Sequence, residues 1–515
     1  MIAELTEELA FNPIKLLVFI GWVYLGLYFV QRVEFSTAVP KHYKPIVNVL
    51  TLIFGPIPLL LFLTAGAIRT PGRERVGLLR SIKGRLTTIG YSIRSSRFMG
   101  GAGVGTIKLL DSSGTELKEI YGHSKMHQQD SHTLAMTEKI IADALEDRAS
   151  DILIDPQSDS SYTIRFRVDG ILREVDRIEA DTSQAVINSI KAVANMDIAE
   201  RRRPQDGAFI AKVPDGTVSF RAASAGVLNG EKLSIRVLKQ DASIFTLENT
   251  GLTEKQRNII ESAISKPSGM ILLCGPTGSG KTTTLYAMLN KIDFYTRNVI
   301  TVEDPIEYVM PNTSQIEVNP KADITFAKSL RSILRQDPDV IVVGEIRDEE
   351  TAVIALQASQ TGHLVLATVH SNSTASALIR LLDLKVTPLM LATGLSMIVS
   401  QRLMRQLCSH CKAPAKLSRS QTRDFEKRKI NYANIHEPVG CEKCHGTGYY
   451  GRVGIYDILM LDDAMKTSIT NNTLPITQQL RKEGDQRGRS NLYKQGLLKV
   501  VTGVSSLGEL ARVVE

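Results

Sequence analysis

The chain has no broad excess of charge of either sign. Its 515 residues carry a formal net charge of +8, and the segment 69–97, with eight basic residues and one acidic residue, accounts for +7 of it. The remainder is close to neutral. Proteins that bind nucleic acid usually present clustered Lys and Arg to the phosphate backbone. The charge distribution therefore argues against a nucleic-acid partner and directs attention to the region beside residue 69.

Charged residues are absent from 45–68, and Lys15 is the only one in 13–30. Each run is about long enough to span a hydrocarbon core of roughly 30 Å as a helix. We therefore predict a membrane hairpin over 1–68, with a buried or re-entrant hairpin as the alternative. A cleaved signal peptide is disfavoured because acidic residues occupy the start of the chain: Glu4, Glu7 and Glu8.

The basic segment 69–97 follows the second apolar run directly. Basic residues collect on the cytoplasmic side of membrane helices and attract anionic lipid. Both termini are therefore predicted to lie in the cytoplasm, with the chain anchored in the membrane by its own hairpin. Residues 69–130 are interpreted as a basic juxtamembrane linker or a small domain, with a β-hairpin predicted over 106–121.

A phosphate-binding pattern is present at 275–282, where Gly-Pro-Thr-Gly-Ser-Gly-Lys-Thr fits G-x-x-x-x-G-K-[ST]. The apolar run 270–274 predicts a buried strand before it, and 282–291 predicts a helix after it. The glycines let backbone N–H groups face phosphate oxygens, and the helix N-terminus adds partial positive charge. We predict that Lys281 contacts the phosphates of a nucleoside triphosphate and that the Thr282 hydroxyl ligates Mg²⁺. The candidate nucleotide-binding residues are Gly275, Pro276, Thr277, Gly278, Ser279, Gly280, Lys281, Thr282 and Thr283.

Three further buried strands are predicted at 298–303, 340–343 and 363–369. Helices that alternate with buried strands are typical of a parallel sheet covered on both faces. Ligands bind at the carboxyl ends of such strands, and two of these strands end in acidic residues. Glu303 ends the first. Glu345 follows the second and is the predicted carboxylate for Mg²⁺-bound water or for the attacking water.

Cysteine is scarce, with five residues in the chain. Four of them form two C-x-x-C pairs, Cys408 with Cys411 and Cys441 with Cys444. The short spacing lets two thiolates from one turn face a single tetrahedral metal, so the pattern favours structural Zn²⁺. Disulfides are the competing interpretation, and the reducing compartment expected for a nucleotide-hydrolysing domain argues against them.

A smaller α+β domain is predicted over 131–245, ahead of the nucleotide-binding domain at 246–515. Its predicted elements are helices at 132–148 and 183–194 and strands at 151–154, 162–168, 218–222 and 232–238.

Four motifs stand in order along 246–515: a Walker A sequence, an Asp box, a Walker B sequence and a His box. This ordered set resembles the secretion ATPases that drive type II secretion and type IV pilus assembly. The residues that carry the resemblance are 275–282, 301–308, 335–339 with 344–348, and 361–364 through 368–370. Similarity extends upstream at 149–152, 167–170 and 203–207 and downstream through the cysteine pairs to 451–456.

The resemblance implies an α/β fold with a RecA-like P-loop ATPase domain, preceded by the smaller α+β domain. The two predicted transmembrane helices, 13–30 and 45–68, come from the apolar runs and are a departure from the family pattern. It implies a homo-hexamer that binds ATP, Mg²⁺ and Zn²⁺ and acts on a platform protein of the inner (cytoplasmic) membrane. Family members commonly begin with a soluble domain that docks onto a separate membrane-anchored partner. Here the apolar hairpin occupies that place, so the docking interaction is not carried over.

By motif position, Glu345 resembles the Walker B glutamate, and Glu303 resembles the Asp-box acid that activates water. His363 and His370 resemble the His-box pair that senses the γ-phosphate. Two arginines, Arg221 and Arg236, resemble those that the N-terminal domain brings to the nucleotide; a planar guanidinium neutralises phosphoryl charge through paired hydrogen bonds.

Three other functions compete with an assembly motor. A retraction motor of the same superfamily is disfavoured because such motors usually lack the four cysteines. A membrane scaffold that barely hydrolyses nucleotide is disfavoured by the presence of Lys281, Glu303 and Glu345. A DNA translocase is disfavoured by the near-neutral charge outside 69–97.

Overall fold

The computed structural model describes residues 107–120, 128–158, 160–214, 216–239, 245–471 and 491–514. The chain divides into two units, Met1–Gly101 and Ala102–Glu515, and every described residue belongs to the second. Both predicted transmembrane helices, 13–30 and 45–68, lie outside the described residues, as does most of 69–130. Within the described ranges, no helix combines the length and apolar character needed to cross a membrane.

The first part of the described chain forms an antiparallel sheet of seven strands, called the N-terminal sheet. Its strand order is β1-β5-β6-β7-β2-β3-β4. The strands are β1 (Lys108–Leu110), β2 (Asp151–Ser158), β3 (Ser161–Val168), β4 (Ile171–Glu179), β5 (Gln205–Val213), β6 (Gly216–Val227) and β7 (Gly230–Lys239). Its helices are α1 (Leu117–Ile120), α2 (Gln128–Glu146) and α3 (Ala180–Val193).

Alternation of side chains explains how β3 contributes to this sheet. Ile164 and Phe166 are fully buried, whereas Arg165 and Arg167 between and after them are partly exposed. Side chains of a strand point alternately to its two faces, so one face of β3 joins the core. Helix α3 packs on α2 and presents Val186, Ile187, Ile190 and Val193 as a buried stripe.

The predicted β-hairpin over 106–121 is wrong in its second half. Asp111 accepts backbone hydrogen bonds from Ser113 (2.9 Å) and Thr115 (2.8 Å), which closes the turn. After a single bridge between Leu110 and Glu116 the chain enters helix α1. Strand β1 pairs instead with β5, so these residues belong to the N-terminal sheet rather than to a separate linker.

The second sheet has seven strands in the order β10-β9-β11-β12-β8-β13-β16 and is called the mixed sheet. All neighbouring pairs are parallel except β13 with β16. The strands are β8 (Gly269–Cys274), β9 (Val299–Glu303), β10 (Ser314–Glu317), β11 (Val340–Val343), β12 (Leu364–Val369), β13 (Leu395–Leu407) and β16 (Tyr449–Met460).

Helices cover both faces of the mixed sheet. The helices of this part are α4 (Glu254–Ile264), α5 (Lys281–Leu289), α6 (Phe326–Ile333), α7 (Glu349–Gln360), α8 (Thr374–Asp383), α9 (Pro388–Gly394) and α11 (Asp463–Asn471). One apolar cluster joins helices α4 and α5 to one face of the sheet. A second cluster joins helices α6, α7, α8, α9 and α11 to the opposite face. Every residue of β8, β9, β11 and β12 is therefore buried.

The cysteine pairs lie in a smaller region beside the β13–β16 pair. It contains the short strands β14 (Ala413–Pro414) and β15 (His436–Glu437) with helices α10 (Arg419–Lys427), α12 (Leu492–Val501) and α13 (Leu507–Val514). Glu509 of α13 is almost fully buried and accepts hydrogen bonds from Arg405 and Arg512. These contacts fix the C-terminal helix against β13. We call residues 408–448 the cysteine module.

Candidate functional site

The phosphate-binding pattern forms a tight loop between β8 and α5. Gly278 and Gly280 adopt positive φ angles of 74° and 87°, where side chains are disfavoured. Gly275 has no room for a side chain, since a Cβ there would lie 2.3 Å from the Ser279 Oγ and 2.7 Å from the Gln401 backbone oxygen. The glycines are thus required by backbone geometry, and the loop delivers residues 281–283 to the first turn of α5.

The Lys281 side chain folds back over this loop. Its Nζ donates to the backbone oxygens of Gly275 (2.9 Å) and Pro276 (3.3 Å), and it lies 3.5 Å from His370 Nδ1. Burial lowers the pKa of Lys281, and the carboxylate of Glu345 offsets part of that effect. A partly desolvated ammonium at the start of a helix is a strong phosphate ligand.

A chain of polar contacts joins the phosphate loop to the acidic ends of β9 and β11. His370 Nε2 lies 3.1 Å from Glu345 Oε1. Arg347 donates from Nε to Glu345 Oε2 (2.8 Å) and from a terminal nitrogen to Asp304 (2.9 Å). The structure therefore brings together Lys281, His370 and Glu345, which the sequence had placed in three separate motifs.

Glu303 lies beneath this surface. Its side chain is buried, and its oxygens accept hydrogen bonds from the Tyr286 hydroxyl (2.5 Å), the Thr301 hydroxyl (2.7 Å) and the Gln315 amide (3.1 Å). Burial raises the pKa of Tyr286, and the adjacent Glu303 raises it further. With three donors on its two oxygens, Glu303 is placed to orient β9 and α5 rather than to hold a water molecule at the loop.

Glu307 is the acidic residue that faces the start of α5. Burial raises its pKa, whereas a hydrogen bond from the Thr282 hydroxyl and the charges of Arg236 and Arg221 lower it. Glu307 thus pairs with a hydroxyl at the start of α5 and feels the charge of two arginines of the N-terminal sheet. Three residues separate it from the end of β9, and nothing in the sequence indicates that the chain would turn it toward the loop.

Strands β6 and β7 position the two predicted arginines. Arg221 and Arg236 are direct partners in the antiparallel register, so both side chains emerge on one face. Arg221 donates to the Ile306 oxygen (3.4 Å) and lies 3.8 Å from Glu317. Asp151 of β2 holds Arg236, at 3.3 Å. Arg221 therefore reaches the edge of the mixed sheet, whereas Arg236 emerges beside it and is held by an acid of its own sheet.

His363 is not brought to this site. It precedes β12, whereas His370 follows it, and the six residues of β12 at about 3.3 Å each separate the two by roughly 20 Å. His363 Nδ1 instead lies 2.9 Å from the Ala358 oxygen, and its own backbone oxygen accepts from Gly269 at the opposite end of β8. The two histidines therefore lie at opposite ends of β12, and a role of His363 in sensing the γ-phosphate stays a prediction.

The four cysteines converge as the spacing predicts. Their sulfur atoms lie within 4.8 Å of one another, and three of the separations are 3.7–3.8 Å. A tetrahedron with Zn–S bonds of about 2.3 Å has edges of about 3.8 Å, so the cluster fits zinc. A disulfide needs about 2.05 Å, and all four thiols are free.

Backbone amides support negative charge on these sulfurs. Cys411 Sγ accepts from Gly440 N (3.3 Å), and Cys444 Sγ accepts from Cys441 N (3.1 Å) and Gly448 N (3.2 Å). Burial raises the pKa of Cys411 to about 12. Burial also acts to raise that of Cys444, but the two amides lower it to about 7. Thiolates this close repel, and a divalent cation removes the repulsion.

The sequence matches the family described as Type II/IV secretion system protein over residues 127–512. This stretch contains the mixed sheet, the cysteine module and every strand of the N-terminal sheet except β1. The chain belongs to the type II/IV secretion system protein family. The resemblance seen in the sequence motifs is thereby confirmed.

Two bacterial relatives of this family member share two-fifths of their aligned residues with it. Type II secretion system protein E of Pseudomonas aeruginosa is 40% identical over 386 residues, covering 75% of this chain and 76% of that protein. Type IV pilus assembly ATPase PilB of the same organism is 40% identical over 391 residues, covering 75% and 68%.

Solved structures in this superfamily confirm the α/β ATPase fold. The pilus retraction motor PilT with bound ADP has 27% identity and a TM-score of 0.50, covering 73% of this chain and 95% of that chain. The DotB ATPase of Legionella pneumophila has 20% identity and a TM-score of 0.53, covering 74% and 94%; it supports the fold alone.

Proposed function

We propose that this family member is an ATP-hydrolysing motor that drives assembly of a type IV pilus or pseudopilus, or type II protein secretion. The observation that carries the proposal is the polar chain from Lys281 through His370 to Glu345. It joins a phosphate loop to a carboxylate at the neighbouring strand ends, as hydrolysis requires. The named activities of the relatives support assembly or secretion as the work performed.

In the proposed reaction, Lys281 neutralises charge on the β- and γ-phosphates, and Glu345 orients the attacking water and accepts its proton. Arg221 and Arg236 approach the phosphates when the N-terminal sheet closes on the nucleotide. Hydroxyl and carboxylate oxygens are the ligands that Mg²⁺ prefers, so Thr282, with Glu345 acting through water, would hold it. When bound, Mg²⁺ neutralises the charge of the phosphate oxygens.

Removal of the gene tests the direction of the work. An assembly or secretion motor is required for product formation, so the deletion strain should lack surface fibres or retain its secreted proteins inside the cell. Normal fibres that fail to retract would identify a retraction motor, for which the likeness to PilT offers weak support. A strain in which the Lys281→Ala chain restores full assembly would identify a scaffold instead.

Glu307→Gln is expected to lower kcat for ATP hydrolysis by about tenfold or more, because Glu307 faces Thr282 and both arginines. Glu303→Gln is expected mainly to lower the melting temperature, because its carboxylate accepts three buried hydrogen bonds. Phosphate release and thermal unfolding of each full-length variant separate the two effects. Near-complete loss of turnover in Glu303→Gln with an unchanged melting temperature, and normal turnover in Glu307→Gln, would restore Glu303 as the water-activating acid.

The partners proposed for this motor follow from its family. A homo-hexamer would place arginines of one chain beside the nucleotide of the next, and an inner-membrane platform protein would receive the movement. Zinc is proposed as the metal of the cysteine module. No nucleic-acid partner is proposed, because basic residues outside 69–97 are balanced by acidic ones.

We further propose that residues 1–68 anchor the motor in the inner membrane as a two-helix hairpin. Deletion of 1–68 is expected to move most of the chain from the membrane fraction to the soluble fraction, since two apolar runs are lost. Sedimentation of cell lysates in high salt measures this. A matched variant with the eight basic residues of 69–97 changed to glutamine should stay with the membrane. Undiminished membrane association of the deletion variant would rule out the anchor.

A further inference from the structure

Two polar contacts join the region of the cysteine module to the N-terminal sheet, one from the module itself and one from the adjoining start of β16. His445 follows Cys444 directly, and its Nε2 lies 2.6 Å from Asp147 Oδ1 at the end of α2. The Asp147 side chain is 2% exposed and that of His445 is 31% exposed, so the contact is open to water on the histidine side alone. The second contact runs from the Gly451 backbone N–H to Asp169 Oδ2, at 2.9 Å.

Aromatic and charged side chains surround both contacts. Arg148 lies over the ring of Tyr450 at 3.6 Å and also 3.5 Å from Asp169. Arg173 of β4 forms an ion pair with Asp147. The interface thus combines the His445–Asp147 contact with a backbone hydrogen bond and a cation–π contact. The first comes from the cysteine module, and the other two come from the adjoining start of β16.

The position of His445 is set by the turn that carries two cysteines. Glu442–Cys444 is a 3-10 turn, and His445 closes it with a left-handed backbone at φ 49°. The Gly446 N–H bonds back to the Cys441 oxygen (2.9 Å). A metal held by Cys441 and Cys444 would fix this turn, and with it the direction of the His445 ring.

The other end of the contact leads to the nucleotide. Asp147 is four residues before Asp151, which holds Arg236 at 3.3 Å. The intervening chain is tied into the sheet, since Ser150 N bonds to the Arg167 oxygen (2.8 Å) and Val237 N bonds to the Ser150 oxygen (3.0 Å). A short rigid connection therefore links the module contact to an arginine of the proposed catalytic site.

We infer that Asp147 and His445 are positioning residues: metal binding by the four cysteines fixes His445, and His445 holds the N-terminal sheet where Arg236 reaches the nucleotide. This inference rests on the proposed ATPase function. It gives the cysteine module a role in the catalytic cycle, beyond stability of the C-terminal region. Neither residue contacts the phosphate loop.

Hydrogen exchange of the full-length chain tests the inference without relying on turnover. His445→Ala is expected to speed exchange at least tenfold at the Gly451 amide and in the β3–β4 turn, while the zinc content stays at that of the wild type. A zinc-selective chelator added to the wild type should produce the same change. His445→Gln, which can still donate to Asp147, should restore part of the protection.

His410→Ala is the matched control, because His410 also adjoins a cysteine of the cluster but contacts Lys443 instead. If His445→Ala releases zinc, Asp147→Asn tests the same contact by changing its other partner. Both contact variants are expected to lower kcat about tenfold with little change in KM, whereas His410→Ala should not. The inference is overturned if the contact variants exchange at the rate of His410→Ala. It is also overturned if the chelator leaves the exchange rate of the wild type unchanged. A chain without ATPase activity would refute the proposed function while leaving the exchange result interpretable.

Discussion

Glu345→Gln is expected to lower kcat for ATP hydrolysis by about 10²–10³-fold while nucleotide binding stays within about threefold of the wild type. Glutamine keeps the size of the side chain and one acceptor oxygen, so the contact with Arg347 at 2.8 Å can persist. It cannot accept the proton of the attacking water, and a positioned base contributes about 10²–10⁴ in rate. Lys281 and the loop glycines, which carry nucleotide affinity, are unchanged.

The measurement is steady-state phosphate release together with binding of a fluorescent ATP analogue. Glu254→Gln is the matched control, because Glu254 is an exposed residue in the first turn of α4 and has no contact with the loop. Turnover of Glu345→Gln within threefold of the wild type would remove Glu345 from the reaction. It would favour the alternative of a nucleotide-binding scaffold.

The double variant Cys411→Ser, Cys444→Ser is expected to lose a single bound zinc ion per chain and to unfold the cysteine module locally. Structural zinc contributes about 10–16 kcal/mol of apparent binding free energy in small zinc domains. The module contributes two buried residues, Phe425 and Ile435, to an apolar cluster otherwise built from β13, β16 and the C-terminal helices, so metal removal should leave residues 408–448 open to proteolysis. The mixed sheet, buried on both faces, should remain folded.

Metal analysis of the purified chain and limited proteolysis measure the two effects. Cys274→Ala is the control, because burial raises the pKa of Cys274 to about 12 and keeps it protonated; this variant should retain the metal. Two disulfides and no zinc in wild type purified from the cell interior would contradict the metal site.

Burial on both faces explains why four strands of the mixed sheet, β8, β9, β11 and β12, were predicted, whereas β10, β13 and β16 were not. Runs such as 340–343 contain only apolar residues, and the predicted bounds match the observed strand. Strands β4 and β5 of the N-terminal sheet were missed. β4 lies at an edge, every residue is at least partly exposed and charged residues interrupt it. β5 contains Gly207, where a Cβ would lie 2.3 Å from the Ala194 oxygen; that close approach becomes visible only in three dimensions.

The candidate site was predicted in part for a similar reason. Motif order indicates which strand ends meet, and it placed Lys281, Glu345 and His370 correctly together. It does not indicate which carboxylate of an acidic cluster is buried, so the buried hydrogen bonds of Glu303 were not predicted. Asp147 carries no motif at all, since its role depends on a contact between two residues 298 positions apart in the chain.

The most direct test of the central claim is the rate of phosphate release from ATP by the full-length wild-type chain, with and without Mg²⁺. A motor built on this site is expected to release phosphate steadily with Mg²⁺ and to stop when Mg²⁺ is withheld. The rate of phosphate release by the Lys281→Ala chain is expected to fall to background. Tight ATP binding without Mg²⁺-dependent phosphate release, in a chain that is fully folded and zinc-loaded, would contradict it.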